Sequence, residues 1–432
     1  MYHFIGIKGA GMSSLAQMLS ELGYDVQGSD LPKHFFTEKG LIECNIPFYS
    51  YNPDNIHEGL TIVRGASITE EHPELVKAKE LDLPIITYEE MLGKLTREMK
   101  AICVAGCHGK TTTTSMLAHV LNPIKGVNYL IGDGTGYALK GNDYFVLESC
   151  EYRRHFLNYT PYYAVITNID LDHVDYYKDI DDIVDAYESF AKKATKMVIA
   201  CGDDPYTHRL QVETPLKFFG FTDQDDICAK NVLYSVSGAS FDIFVDGKEY
   251  GHFDLPLFGE HQVLDALATI GVCFYEGLDA KEVQKYFSTF EGARRRFDET
   301  KVGNSVIIDD YAHHPSEVKA TINAIKQKYP NRKIVAIFQP HTFSRTKEFA
   351  HDLATVLSAV DKAYILDIHP ARESQEDFPG VTSDLIIKEL PNGASIKMEE
   401  GEILYKEGDA IFIFMSPNDV SKLENILKEK IQ

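Results

Sequence analysis

Short apolar runs alternate with amphipathic stretches along the whole chain, and nearly every run breaks at a glycine or a charged turn. Residues 2–7 form the first run, rich in aromatic and β-branched side chains, and read as a buried strand. Helical spacing follows over 12–22, then a second strand at 24–28. Runs at 60–63 and 83–86 predict further buried parallel strands. The alternation restarts with a strand at 101–105 and a helix over 115–121. Strands at 144–147, 164–168 and 196–200 follow. From about residue 217 to 257 the rhythm shifts to short alternating strands, which predicts a small mixed-sheet insertion. A third series places strands at 305–308, 334–338, 363–367 and 410–414 between helical stretches. Strand–helix repetition of this kind predicts parallel sheets covered on both faces, so the fold class is α/β. A charged link at 96–100 and a basic cluster at 292–297 divide the chain into expected domains of 1–98, 99–297 and 298–432.

The turns that end these strands carry the chemistry. Ala105 is followed by Gly106-Cys107-His108-Gly109-Lys110-Thr111-Thr112-Thr-Thr114 and then a helix. Strand, glycine turn, Lys-Thr and helix is the layout of a phosphate-binding loop. Backbone N–H groups and the positive helix end face the phosphates, Lys110 neutralises β- and γ-oxygens, and the Thr111 hydroxyl ligates Mg²⁺. The first glycine of the usual pattern would fall at Val104, so this loop is a shortened variant. Near the N-terminus, Gly9 and Gly11 with Ser14 at the third glycine position make a partial dinucleotide fingerprint, and Asp30 follows the second strand. That pattern supports a nucleotide diphosphate at 9–13 and leaves NAD and a UDP-sugar both open. The turn at 64–68 lies at a strand end where ligands bind in open α/β sheets.

Further strand ends add to the set. Glu148, at the tip of a core strand beside the phosphate loop, is a natural Mg²⁺ ligand. Asp170, Asp172, His173 and Asp175 gather metal-capable groups after the strand at 164–168. His261 opens a helix and either faces a purine or caps that helix. Arg294, Arg295 and Arg296 stand at a domain boundary, where a guanidinium reaches across a cleft to phosphates. In the last segment three successive strands end at Asp309-Asp-Tyr-Ala-His-His314, at His341 with Arg345, and at His369 with Arg372. The βαβ rhythm puts these ends on one sheet edge, as a cationic acid–base row facing an anionic substrate.

Composition narrows the partners. The 432 residues are 44% hydrophobic and 25% charged, an ordinary globular balance. A formal net charge of −22 opposes non-specific association with nucleic acid or an anionic membrane surface. No run approaches the ~18 apolar residues of a membrane helix, and the first residues lack a signal-peptide pattern. Seven scattered cysteines without a C-x-x-C pair suit reduced thiols. The expected setting is cytoplasmic, as a monomer or weak homodimer.

Taken together, the stretches resemble the Mur ligase family, on its alanine-adding branch. They are Phe4-Ile-Gly-Ile-Lys-Gly-Ala-Gly-Met12, Gly106-Cys-His-Gly-Lys-Thr-Thr-Thr113, Glu151-Tyr-Arg-Arg-His-Phe156, Thr167-Asn-Ile-Asp-Leu-Asp-His173, Arg294-Arg-Arg-Phe297, Asp309-Asp-Tyr-Ala-His-His-Pro315, Phe338-Gln-Pro-His341 and Pro370-Ala-Arg-Glu373. They stand in family order over nearly the whole chain. The resemblance implies three domains: a Rossmann-like N-terminal domain for a UDP-sugar, a central P-loop ATPase-like α/β domain, and a C-terminal Rossmann-like α/β domain that closes on both. It implies an ATP- and Mg²⁺-dependent ligase joining L-alanine to the carboxylate of UDP-N-acetylmuramate through an acyl phosphate, in peptidoglycan precursor synthesis. By resemblance Lys110 holds the β/γ-phosphates, within a loop of Gly106, Cys107, His108, Gly109, Thr111 and Thr112. Thr111 with Glu148 ligates one Mg²⁺, and Glu148 with His173 a second. Arg296 touches the γ-phosphate, Asp310 the ribose and His261 the adenine. Gly9, Gly11, Met12 and Ser13 line the UDP diphosphate, with Asp30 and Ser67 nearby. His341, Arg345 and Arg372 meet the muramyl carboxylate or alanine. Cys107 stands where the family has Thr, Gln262 and Asp265 where asparagines are common, and 416–419 replaces a glycine-rich turn.

Overall fold

Three parallel-rich sheets follow one another along the chain in the computed structural model, which describes residues 1–35 and 37–431. The first sheet is wholly parallel. Its strand order is 48–50, 26–30, 2–5, 61–64, 85–87. The order reverses between Tyr2–Ile5 and Thr61–Arg64, the switch point at which α/β sheets bind ligands. The helix Ala10–Glu21 starts two residues earlier than its apolar spacing predicts, because Gly9 rather than a side-chain cap begins it.

The second sheet has ten strands, with Lys100–Ala105 flanked by Tyr163–Ile166 and Tyr144–Glu148. The short alternating strands at 227–235, 238–245 and 248–255 pair antiparallel with one another. They continue the same sheet, since Phe219 and Gly220 pair in parallel with Ile227 and Cys228. The expected insertion is thus an antiparallel wing of the central sheet, and the helix Glu260–Tyr275 covers part of it. The third sheet has the order 298–302, 305–310, 411–415, 334–338, 362–365, 393–395, with only its first pair antiparallel.

The cores join the sheets unequally. One apolar cluster runs from Phe4, Leu15 and Leu19 through Met91 and Leu95 of the helix Tyr88–Glu98 into Phe145, Phe156 and Tyr187. The first two sheets therefore share a continuous core. The third sheet has its own cores on its two faces, and among the described residues only Val174 packs against them from the central sheet's loops. Its contacts with the rest of the chain are mostly polar, and they build the site.

Candidate active site

Among the described residues three helices begin at glycines with no side-chain cap, Glu260–Tyr275 after Gly259 and, at the two nucleotide turns, Ala10–Glu21 after Gly9 and Lys110–Lys125 after Gly109. At the nucleotide turns the first N–H groups are left for a ligand, and the helix dipole makes both ends attractive to anions. The start at Gly109 is built for close approach. Gly106 has φ +146° and Gly109 φ +81°, and a Cβ at Gly106 would lie 1.9 Å from the Thr167 hydroxyl oxygen. Asn168 clamps the turn from below: its Oδ1 accepts from His108 N at 2.9 Å and its Nδ2 donates to His108 O at 2.9 Å.

Lys110 folds back onto this loop. Its Nζ donates to Gly106 O at 2.5 Å and stands 3.0 Å from Glu151 Oε2. Burial alone lowers its pKa, but the Glu151 and Glu148 carboxylates outweigh burial and raise it, so the ammonium persists. Glu151 is 1% exposed; burial pushes its pKa up, while Lys110 and then His173 bring it below the usual range. His173, at φ +50°, places Nε2 3.2 Å from Glu151 Oε1. Thr111 and Glu148 form a second couple, with the hydroxyl donating to Glu148 Oε2 at 2.8 Å. The same oxygen accepts from Gly132 N at 3.0 Å, which fixes one end of the 132–136 turn. Ser14 of the first helix donates to Gly134 O at 2.6 Å, so this turn ties the Gly9 and Gly109 helix starts together.

The carboxylate in contact with His173 is that of Glu151. The strand ends at Glu148, Ser149 N bonds Val104 O, and the chain turns Glu151 inward beneath Lys110. Glu148 keeps its place beside Thr111.

Cations and donors of the third sheet meet Asp170, Asp172 and Asp175. Arg345, 6% exposed, donates to Asp172 Oδ1 from Nη2 at 2.6 Å and from Nε at 3.0 Å. Arg372 donates to Asp175 Oδ2 at 2.7 Å and lies 4.4 Å from the Tyr152 ring centre. Ser316 donates to Asp170 Oδ2 at 2.9 Å. Both arginines are thus engaged by carboxylates of the chain itself. His341 lies 3.1 Å from Arg345 Nη1. Burial, then the neighbouring His313 and Arg345 charges, lowers its pKa to about 3, so it is neutral rather than part of a cationic row.

Between the phosphate loop and the third sheet lies a cavity of about 650 Å³. His108, Gly109, Thr111 and Thr112 line one side, His261, Gln262 and Asp265 another, and Arg296, Asp310, Ser316 and Glu317 the far wall. The volume is that of a nucleotide-sized site. His261 is kept neutral, its pKa lowered to about 4 by burial and by Arg296. Asp265 is pushed up to about 7 by burial, against the Thr113 hydroxyl that donates to it at 3.0 Å. Gln262 Oε1 and Asp265 Oδ2 are buried without partners, two polar atoms that a base or ribose can satisfy. Arg296 sits 4.8 Å over the Tyr311 ring and 3.8 Å from Glu317 Oε1. Arg295, by contrast, is spent inside the C-terminal domain on Asp309 and on the carbonyls of Ser416 and Asn418. Asp310 is 6% exposed and holds the N–H groups of Phe297 and Ala312 at 2.9 Å, so it fixes the linker as well as lining the cavity.

In the first sheet, Gly9, Gly11, Met12 and Ser13 begin the first helix at the switch point. Ser67 is exposed on the turn after Thr61–Arg64. Asp30 does not stand free there: its oxygens accept from Lys8 N and Leu31 N at 2.7 Å and close the turn from within.

Two residues of the site had no role assigned from sequence. Glu151 stands three residues past Glu148, inside a quoted motif, and only the turn decides which carboxylate faces Lys110. Glu317, in the first turn of the helix Pro315–Lys328, accepts from His313 N and His314 N. It also lies 3.4 Å from His108 Nδ1 across the cavity wall.

Three family models match the chain in succession: the Mur ligase catalytic domain over residues 1–100, the Mur ligase middle domain over 104–273, and the Mur ligase glutamate ligase domain over 295–411. The chain belongs to the Mur ligase family. Members of this family are ATP-dependent ligases of peptidoglycan synthesis. The chain is 26% identical to a UDP-N-acetylmuramate-alanine ligase, MurC, from Thermotoga maritima, with a TM-score of 0.81 over 99% of this chain and 98% of that one. A murein peptide ligase from Psychrobacter arcticus matches at 22% identity and TM-score 0.72, over 99% and 98%. A pseudomurein peptide ligase from Methanothermus fervidus matches at 20% and 0.72 over both full lengths. Among the described residues of this Mur ligase no helix is long and apolar enough to cross a membrane.

Proposed function

We propose that this Mur ligase joins L-alanine to the carboxylate of UDP-N-acetylmuramate at the expense of ATP, in the cytoplasm. The observation that most supports the alanine-adding reading is the full-length likeness to the alanine ligase, whose TM-score of 0.81 over 99% of this chain stands above those of the peptide ligases, although one of these, from Neisseria meningitides, is equally 26% identical over 68% of the chain. The geometry supports the division of labour. ATP occupies the cavity, its phosphates on the 106–112 loop and its base near His261 and Gln262. The UDP-sugar lies on the 9–13 helix start with its muramyl arm running past the 132–136 turn toward Lys110.

The donors fit Mg²⁺. Thr111 and Glu148 offer a hydroxyl and a carboxylate oxygen side by side, and Glu151 adds a second carboxylate with His173 beside it, a mainly oxygen set suited to a hard cation. Mg²⁺ bound there screens the triphosphate. A carboxylate attacking a γ-phosphate needs screening and in-line placement more than covalent help. Lys110, kept charged by Glu151, turns from its loop carbonyls to the β- and γ-oxygens. Arg296 approaches from the linker and neutralises charge on the transferring group. Attack of the muramyl carboxylate on the γ-phosphate breaks its bond to ADP, which leaves; the acyl phosphate so formed is attacked by the alanine amine, which gives up a proton as phosphate leaves. The C-terminal domain, docked through Asp172 and Arg345, excludes water from that intermediate.

The test is phosphate release with ATP, Mg²⁺ and UDP-N-acetylmuramate, alone and with L-alanine or with a peptide that begins with L-alanine. Release that requires the sugar nucleotide and L-alanine together is expected. Release that needs the peptide instead sinks the alanine-adding reading, and release without any sugar nucleotide sinks the ligase reading.

A further inference from the structure

We propose that the joint between the central and C-terminal domains is a site for a borderline divalent cation such as Zn²⁺, held by His108, Asp170 and His314 and separate from the Mg²⁺ positions. The three come from different elements: the phosphate loop, the turn after Tyr163–Ile166, and the cap of the helix Pro315–Lys328. One donor atom of each lies within 4.8 Å of the other two.

The spacing is close to what such an ion needs. Bonds of about 2.0–2.1 Å in a tetrahedron put ligand atoms about 3.3–3.4 Å apart. His108 Nε2 is 3.2 Å and His314 Nδ1 3.7 Å from Asp170 Oδ2. The two imidazole rings lie 4.7 Å apart, tilted by 32°. Small side-chain rotations bring all three donors onto one centre. Two imidazole nitrogens and one carboxylate oxygen select Zn²⁺ or Co²⁺ over Mg²⁺, which prefers oxygen and water.

The surroundings hold the donors in place. His314 is 3% exposed with no partner on Nε2, and its Nδ1 has only a long 3.4 Å contact from Ser316 N. The Ser316 hydroxyl orients Asp170 from 2.9 Å, a contact of the kind that fixes ligands at metal centres, and Glu317 stands 3.4 Å from the far nitrogen of His108, which has no hydrogen-bond partner. His108 and Asp170 line the nucleotide cavity, so the fourth position opens to water there.

The site exists only while the two domains meet, because His314 alone comes from the third. An ion bound there stabilises the docked arrangement by its own binding free energy. Without one, the same groups form a hydrogen-bonded cluster.

Metal-free full-length chain is titrated with Co²⁺, read by visible absorption, and then with Zn²⁺, read by calorimetry and by X-ray scattering. One ion per chain is expected, with the intense absorption of four-coordinate Co²⁺, displaced by Zn²⁺. The radius of gyration is expected to fall on Zn²⁺ addition. His314→Asn keeps a helix-capping side chain and removes the imidazole; Asp170→Asn removes the charge. Each is expected to weaken binding by at least about 100-fold, the upper end for losing even an outer contact, and His314→Asn to abolish the contraction. His173→Asn, at the other cluster, is expected to leave the Co²⁺ spectrum intact. Absence of saturable binding, binding that survives both substitutions, or loss on His173→Asn alone would overturn the proposal.

Discussion

Glu151 is the residue on which the site's electrostatics turn. It holds Lys110 charged and His173 in place from a buried position, and a neutral side chain of the same shape cannot do the first. Glu151→Gln is expected to fold normally and to bind the UDP-sugar with unchanged affinity. Its phosphate release is expected to fall on the order of 10²-fold, the usual cost of removing one preorganised charged group at a reacting centre. Turnover within a few-fold of wild type would remove Glu151 from the site. Asp265 offers a prediction in pH. Its folded pKa is about 7 through burial, against 3.8 for the unfolded chain. A raised pKa gives stability that is complete below the unfolded value and lost as pH rises through the folded one. Wild type should therefore lose stability from this group between pH 3.8 and about 7, by roughly 1.4 kcal/mol per unit at most. Asp265→Asn, which can still accept from Thr113, lacks this slope. Its melting temperature relative to wild type is expected to rise from pH 4 to pH 7 and then level off; parallel profiles would contradict the assignment.

At the scale of the element, a strand–turn–helix becomes a phosphate loop only if the turn can face its N–H groups outward. Gly109 makes that turn at φ +81°, and a methyl there would lie 2.5 Å from Asp265 Oδ1. Gly109→Ala costs about 1–3 kcal/mol of backbone strain before the collision is counted. It is expected to weaken ATP binding by tenfold or more while UDP-sugar binding persists, as calorimetry with each nucleotide would read. Unchanged ATP affinity would detach the turn from ATP. Such loops are legible in sequence because spacing along the chain sets them: apolar run, glycines, Lys110, then helical period. The three βα series and Thr111 beside Glu148 were legible for the same reason. What sequence could not reach is pairing at long range. Arg345 meets Asp172 across 173 residues and Arg372 meets Asp175 across 197, so cations that read as substrate ligands are paired with carboxylates of the chain itself. The contact of Glu151 with His173 depends on one turn of backbone, and neither period nor composition fixes it. The wing at 227–255 was legible as alternating strands, but not as the edge of the central sheet, because a pattern of period two does not name its neighbour.

In the whole molecule, the first two domains share an apolar core, whereas the third docks mainly through charges. A shared core resists relative motion, and polar interfaces permit it. The C-terminal domain is therefore the moving part, and its docked state rests on few pairs of unequal weight. Arg345 and Asp172 are each 7% exposed at the side chain, while Arg372 is 42% exposed. Breaking a buried pair leaves an uncompensated charge at a cost of about 3–5 kcal/mol; an exposed pair is worth about 0.2–1 kcal/mol. Arg345→Met is thus expected to open the molecule, seen as a larger radius of gyration and faster hydrogen exchange over 170–175, whereas Arg372→Gln changes neither appreciably. A double-mutant cycle separates strut from substrate ligand. With Arg345→Met in place, Asp172→Asn removes the orphaned charge and should recover part of the compact state. A variant pair whose losses simply add, with compactness unchanged and only the Michaelis constant for the UDP-sugar raised, would place Arg345 on the substrate instead. The charge that docks the domain and the charge that binds the substrate cannot both be this guanidinium at once, so the cycle decides which state the ion pair belongs to.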